Sequence, residues 1–172
     1  MLNLKGLSRA EKLELINHIF KKYPSKWAEE SFGLVLDPWQ AKMLDSPAKR
    51  LALNIHRQGG KSTMSSLICL HTALFRPGSL SLIIAPALRQ SQENFKKIRS
   101  FIDQLSEVPK FDESTKLSLQ FETGSRILCL PGGNDGKTIR GFSRPDVIVE
   151  DEAAQCSDEL HYAIMPMMAT FP

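Results

Sequence analysis

The sequence has no apolar run near the ~18 residues that a membrane-spanning helix needs, so no membrane role is expected. Its first fifteen residues, MLNLKGLSRAEKLEL, carry charges where an export signal carries an apolar stretch, which argues against secretion. Cysteine is scarce. Cys69, Cys129 and Cys156 are far apart and form no C-x-x-C pair. An odd number, two of them in apolar contexts, suggests reduced core thiols in a cytosolic setting. No ligand cluster accompanies any of them, so they do not suggest a metal site. Neither sign of charge dominates. With 22 Lys and Arg against 19 Asp and Glu, the net charge of +3 suits nucleic acid no better than a mixed solvated surface. Repeats and low-complexity segments are absent. There remains a chain of 172 residues, 42% hydrophobic and 24% charged, long enough for one domain with a real core.

Ser8 and Glu11 form an S-x-x-E capping box, and Leu13, Ile16, Ile19, Phe20 and Tyr23 follow at helical spacing. Pro24 ends that helix and starts a second, PSKWAEESFG, and Asp37-Pro38 opens a third, DPWQAKMLDS. RLALNI (50–55) is a short apolar run expected to be a strand, and KSTMSSLICLHTALF has helical length before Pro77-Gly78 breaks it. LSLIIAP (80–86) is a buried-strand pattern, and SQENFKKIRSFIDQL is an amphipathic helix. LSLQFE and RILCLPG flank Thr123-Gly124-Ser125 as a hairpin. A glycine-rich loop, GGNDGKTIRGFSRP, leads to the apolar strand DVIVEDE (146–152), and a last helix covers about residues 157–168. Strands thus alternate with helices. The pattern predicts an α/β fold with a largely parallel sheet flanked by helices, one β-hairpin, and an N-terminal helical appendage over 1–36 ahead of a core over 37–172.

One further absence is local. HRQGGKST (56–63) ends as a phosphate-binding loop does, but the pattern G-x-x-x-x-G-K-[ST] places a glycine where this chain has Ile55. Such a loop must turn sharply and aim backbone N–H groups at phosphate oxygens, ahead of a helix whose positive end faces the anion. Gly59 and Gly60 can supply the turn, Lys61 the charge for the β- and γ-phosphates, and Ser62 a hydroxyl for Mg²⁺. Ile55 changes the approach to the loop rather than its cradle. About ninety residues on, the apolar VIV leads into Asp151 and Glu152. A strand beside the loop would bring Asp151 to the magnesium ion and Glu152 to an attacking water. Together the two motifs point to a magnesium-dependent nucleoside triphosphatase.

Arg57 inside the loop gives the form R-Q-x-G-K-[ST], which resembles the variant Walker A of viral large terminase subunits, the motors that package DNA into procapsids. DPWQAKML resembles that family's adenine-contacting segment, IIAPALRQSQENFKKIRSF its second strand and helix, and TIRGFSRPDVIVEDEAA its run into Walker B and the catalytic glutamate. The resemblance covers about residues 34–168 and is most specific at 57–63 and 138–154. It implies a P-loop NTPase core of the ASCE (RecA-like) type that uses ATP and Mg²⁺. The nucleotide would lie against Arg57, Gln58, Gly59, Gly60, Lys61, Ser62 and Thr63. Ser62 and Asp151 would hold the metal, and Glu152 would be the general base. Arg57 would meet the γ-phosphate, Gln40 the adenine edge, and Trp39 would stack, although a helix residue and a core aromatic describe Gln40 and Trp39 equally simply. In the family a neighbour in the ring can supply an arginine. Arg126 and Arg140 are the candidates, with Arg140 ahead because it lies between the glycine-rich loop and the acids.

The resemblance further implies double-stranded viral DNA, a portal protein and a small terminase subunit as partners, a ring of like subunits on the procapsid, and the cytoplasm of the infected host cell as the setting. Two family features are missing from the 172 residues: the coupling motif on a strand after Walker B, and the RNase H-like nuclease domain. We therefore expect an incomplete chain. Two other readings fit part of the pattern. A superfamily-two helicase shares an upstream glutamine, the Gly-Lys-Ser loop and an Asp-Glu pair, but not the arginine in the loop. A module that binds nucleotide without turnover would need no working Glu152.

Overall fold

The computed structural model describes residues 8–132, 139 and 141–168. The chain divides into two compact units, Met1–Leu53 and Asn54–Pro172. Among its described residues the first holds three helices, α1 (Arg9–Lys22), α2 (Pro24–Phe32) and α3 (Pro38–Leu44). The expected capping box forms, with the Ser8 N–H donating to Glu11 Oε2 at 2.7 Å and the Glu11 N–H to Ser8 Oγ at 3.3 Å. Asp45, just past α3, accepts from the N–H and the hydroxyl of Ser25 at 2.9 and 2.6 Å, tying the start of α2 to the end of α3. Trp27 is buried and meets Phe32 edge to face, with ring centroids 5.1 Å apart.

Among its described residues the second unit has five strands: β1 (Leu80–Ala85), β2 (Phe111–Ser114), β3 (Ser118–Phe121), β4 (Arg126–Pro131) and β5 (Val147–Glu150). Its helices are α4 (Lys61–Phe75), α5 (Leu88–Ile102) and α6 (Asp158–Met168). The sheet order is β2-β3-β4-β1-β5. β1 pairs in parallel with β4 and β5, whereas β2-β3 and β3-β4 are antiparallel. The hairpin is therefore extended to three strands. The added strand, Phe-Asp-Glu-Ser, has no apolar alternation to announce it. It is held by pairing across an irregular register and by Phe111 against Phe121, with centroids 5.2 Å apart.

Every residue of β1 is buried, as its continuous apolar run requires of a strand covered on both faces. Leu80, Leu82 and Ile84 pack with Leu160, Ile164 and Met167 of α6 on one face. On the other face α4 and α5 pack against β1 and each other. There Cys69 and Cys129 are buried, and loss of water pushes both thiols up, Cys129 to about 12, so both stay protonated. Asp146 stitches the strand starts. Its N–H donates to the Leu80 carbonyl at 2.7 Å, its Oδ2 accepts from the Leu80 N–H at 2.8 Å, and its Oδ1 meets Arg76 at 2.9 Å.

One expected strand does not form. RLALNI lacks strand hydrogen bonds, and Leu51 is half exposed. An apolar run becomes a strand only where another strand offers its ladder groups, and among the described residues none pairs with it. No described helix is long and apolar enough to cross a membrane.

Candidate functional site

The loop before α4 is a tight turn closed by the Gly59 N–H on the His56 carbonyl at 3.3 Å. Gln58 and Gly60 take left-handed backbone angles, with φ of 64° and 87°. Gly60 is the N-cap of α4, and Met64 is the first residue to donate back to it, at 3.0 Å. The N–H groups of Lys61, Ser62 and Thr63 therefore have no partner within the helix, and they gather at its positive end. The Lys61 ammonium turns back over the loop and donates to the carbonyls of Ile55 at 2.8 Å and His56 at 3.1 Å. The Arg57 side chain is exposed and has no ion pair among the described residues.

The displaced glycine has a steric explanation. A Cβ on Gly59 would lie 2.6 Å from Ile55 Cγ2 and 3.2 Å from the His56 carbonyl oxygen. Ile55, standing where the common pattern has glycine, closes on the loop, and Gly59 provides the room. Gly59→Ala should therefore deform the loop. Overpacking typically costs about 1–3 kcal/mol, so affinity for a fluorescent ATP analogue should fall roughly tenfold. Ile55→Gly in the same chain should restore part of it. Unchanged affinity in the single variant would show that the contact is relieved without moving the loop.

The link Arg76–Ser79 between α4 and β1 is short and the two elements pack together, which calls for a reversal of the chain there. At 15 residues, α4 is about 22 Å long, and at six residues β1 is about 20 Å. Elements of such matched length, packed together and reversed at a short link, bring the end of β1 back toward the start of α4. β5 is parallel to β1, with Ile84 beside Glu150, so its acids leave the sheet at that same end. Side chains alternate between faces. Glu150 meets His161 of α6 at 3.3 Å. Asp151 points the other way, to the face of α4 and α5, where its Oδ2 accepts from Asn94 Nδ2 at 2.9 Å. The Asp151 N–H also donates to the Ile84 carbonyl at 2.8 Å. Glu152 follows with a left-handed φ of 52° and an exposed side chain.

The loop residues 57–63 and the pair Asp151-Glu152 thus share one end of the sheet, and Asp151 shares the face of α4. Arg126 does not join them within its own subunit. It is aligned with Leu80 at the start of β1, five residues before Ala85, about 17 Å away along the strand. Arg140 lies outside the described residues, as does half of the glycine-rich loop. Trp39 and Gln40 belong to the first unit and are half-buried, and Gln40 Oε1 accepts from the Asp37 N–H at 2.9 Å as part of the α3 cap.

Asn94 was not among the expected site residues. Its signal was present, however, since it falls on the apolar face of α5, four positions before Ile98 and seven before Phe101. A polar side chain at such a position needs a partner.

No three His, Cys, Asp or Glu residues among those described gather as a metal cage. Magnesium asks for less, since one or two protein oxygens with water and phosphate complete its shell. Asp151 suits that use. One carboxylate oxygen is anchored by Asn94, and the other accepts no hydrogen bond among the described residues. The Ser62 hydroxyl, in the first turn of α4, is likewise without a partner there.

No protein-family model matches the sequence, and no curated protein does. Among solved structures, the chain is similar to the ATPase domain of the large terminase of Thermus phage P74-26, with a TM-score of 0.66 and 23% identity over 84% of this chain and 66% of that one. An arginine-to-alanine variant of that domain gives a TM-score of 0.67 at the same identity and coverage. The likeness is one of fold: this chain has the α/β architecture of a terminase ATPase domain and spans just under two thirds of that domain's length.

Proposed function

We propose that this chain is a magnesium-dependent ATP hydrolase, and that it is the ATPase part of a large terminase subunit, the motor that drives viral double-stranded DNA into a procapsid. What supports the reading is that Asp151 leaves β5 beside the end of β1 and turns to the face on which α4 and α5 pack, α4 being the helix that the Gly60-Lys61-Ser62 turn opens. The N–H groups of residues 61–63 and the Lys61 ammonium hold the β- and γ-phosphates. Ser62 and Asp151, directly or through water, hold Mg²⁺, which when bound neutralises charge on those phosphates. Glu152 orients a water and takes its proton as the water oxygen bonds to the γ-phosphorus and the bond to the ADP oxygen breaks. Arg57, an exposed guanidinium in the loop, stabilises charge on the γ-phosphate.

Phosphate release by the purified chain, with and without Mg²⁺, tests the enzyme reading. Arg57→Ala should lower turnover roughly 10- to 100-fold, the worth of one hydrogen-bonded charge contact, with unchanged circular dichroism. Equal rates would remove Arg57 from the site. The motor reading extends to a ring of subunits, a portal protein and a small terminase subunit, and is supported by the fold likeness and the arginine-bearing loop. Its test is nuclease-protected DNA in portal-bearing procapsids supplied with the full-length protein and ATP. One observation favours binding without turnover instead: Glu152 is exposed and makes no side-chain hydrogen bond among the described residues. Tight analogue binding with no phosphate release would select that reading.

A further inference from the structure

Asn94 is 6% exposed, in the middle of α5, and its side-chain nitrogen is 2.9 Å from Asp151 Oδ2. The orientation is dictated by chemistry, because an ionised carboxylate only accepts hydrogen bonds and the amide must present its NH₂. Asp151 is thereby fixed at two points. Its main chain is tied to the end of β1 through the Ile84 carbonyl at 2.8 Å, and its carboxylate is tied to α5. Among the described residues no Lys, Arg or His pairs with it. A neutral amide aims a carboxylate without cancelling its charge. An arginine in the same place would hold the oxygen more tightly and compete with a cation for it.

We propose that Asn94 is a positioning residue for divalent-cation binding: it holds Asp151 in one rotamer with the second oxygen turned outward, so that magnesium meets a pre-aimed ligand. The proposal rests on the reading of Asp151 as a metal-shell residue. It goes beyond that reading by assigning a role to a helix outside both sequence motifs. Outer-shell partners of this kind set metal affinity because the ligand otherwise gives up rotamer freedom when the ion binds.

The test is the linkage between magnesium and nucleotide, measured on the whole chain with a fluorescent ATP analogue in EDTA and across a Mg²⁺ titration. Asn94→Ala removes the donor, and Asn94→Leu removes it while filling the space. Both should raise the half-saturating Mg²⁺ concentration by ~10- to 100-fold while leaving affinity in EDTA within about twofold. A merely structural role would weaken binding equally in both media. If wild-type binding gains nothing from Mg²⁺, the metal reading of Asp151 fails and the proposal goes with it. If wild type gains and both variants gain equally, the proposal alone is overturned. Failure of both variants to fold, by circular dichroism, would assign the amide to the fold and also overturn it.

Discussion

Lys61→Ala should abolish ATP turnover, with phosphate release falling by at least ~100-fold. The expectation follows from placement. Lys61 is the first residue of α4, beside three N–H groups that the helix leaves unpaired. Its ammonium lies over the loop, donating to the Ile55 and His56 carbonyls. Removing it leaves the amides, which can still attract an anion, but takes away the charge that follows negative charge moving onto the β-phosphate as the bond breaks. Loss should therefore appear in kcat as well as in affinity. Met64, Leu67 and Leu70 carry the burial of α4, so the variant should melt near wild type. Turnover that survives in a folded Lys61→Ala protein would sink the phosphate-loop reading.

Glu152→Gln should separate binding from chemistry. The substitution preserves size and polarity but removes the group that accepts a proton. A general base contributes typically 10²- to 10⁴-fold, and turnover should fall by about that factor while analogue affinity stays within about twofold. Glu152 takes a left-handed backbone angle where the strand turns into the short helix Ala153–Gln155, and the Gln155 N–H donates to its carbonyl at 2.7 Å. That turn is backbone-made, so the amide variant should keep it. Normal hydrolysis by Glu152→Gln would take the base role from this residue. Asp151→Asn then becomes the control, since it should lose Mg²⁺ dependence rather than the base.

The parts legible in the sequence were those where local rules and tertiary needs agree. α4 could be read from Gly60-Lys61 to Phe75 because glycine opens it and Pro77-Gly78 closes it. β1 could be read because a strand covered on both faces needs a continuous apolar run, and LSLIIA supplies one. The acids followed, since parallel pairing carries the end of β5 to the end of β1. What escaped depended on partners far along the chain. Phe111–Ser114 is a strand only because β3 accepts it. Residues 50–55 have the composition of a strand, but composition cannot provide a neighbour. The exchange between Ile55 and Gly59 is a side-chain contact that no motif encodes. Asn94 is 57 residues from the carboxylate it holds, and only the fold closes that distance.

The Lys61 ammonium already has two oxygen partners before any phosphate approaches. On the proposed reading, nucleotide arrival would be a swap of partners, and the calorimetric heat would be a difference between old bonds and new. A nucleoside without phosphates offers the amine nothing and should leave the carbonyls of Ile55 and His56 engaged. Each added phosphate should improve the exchange, so on that reading the lysine would rank ligands by the length of their phosphate chain.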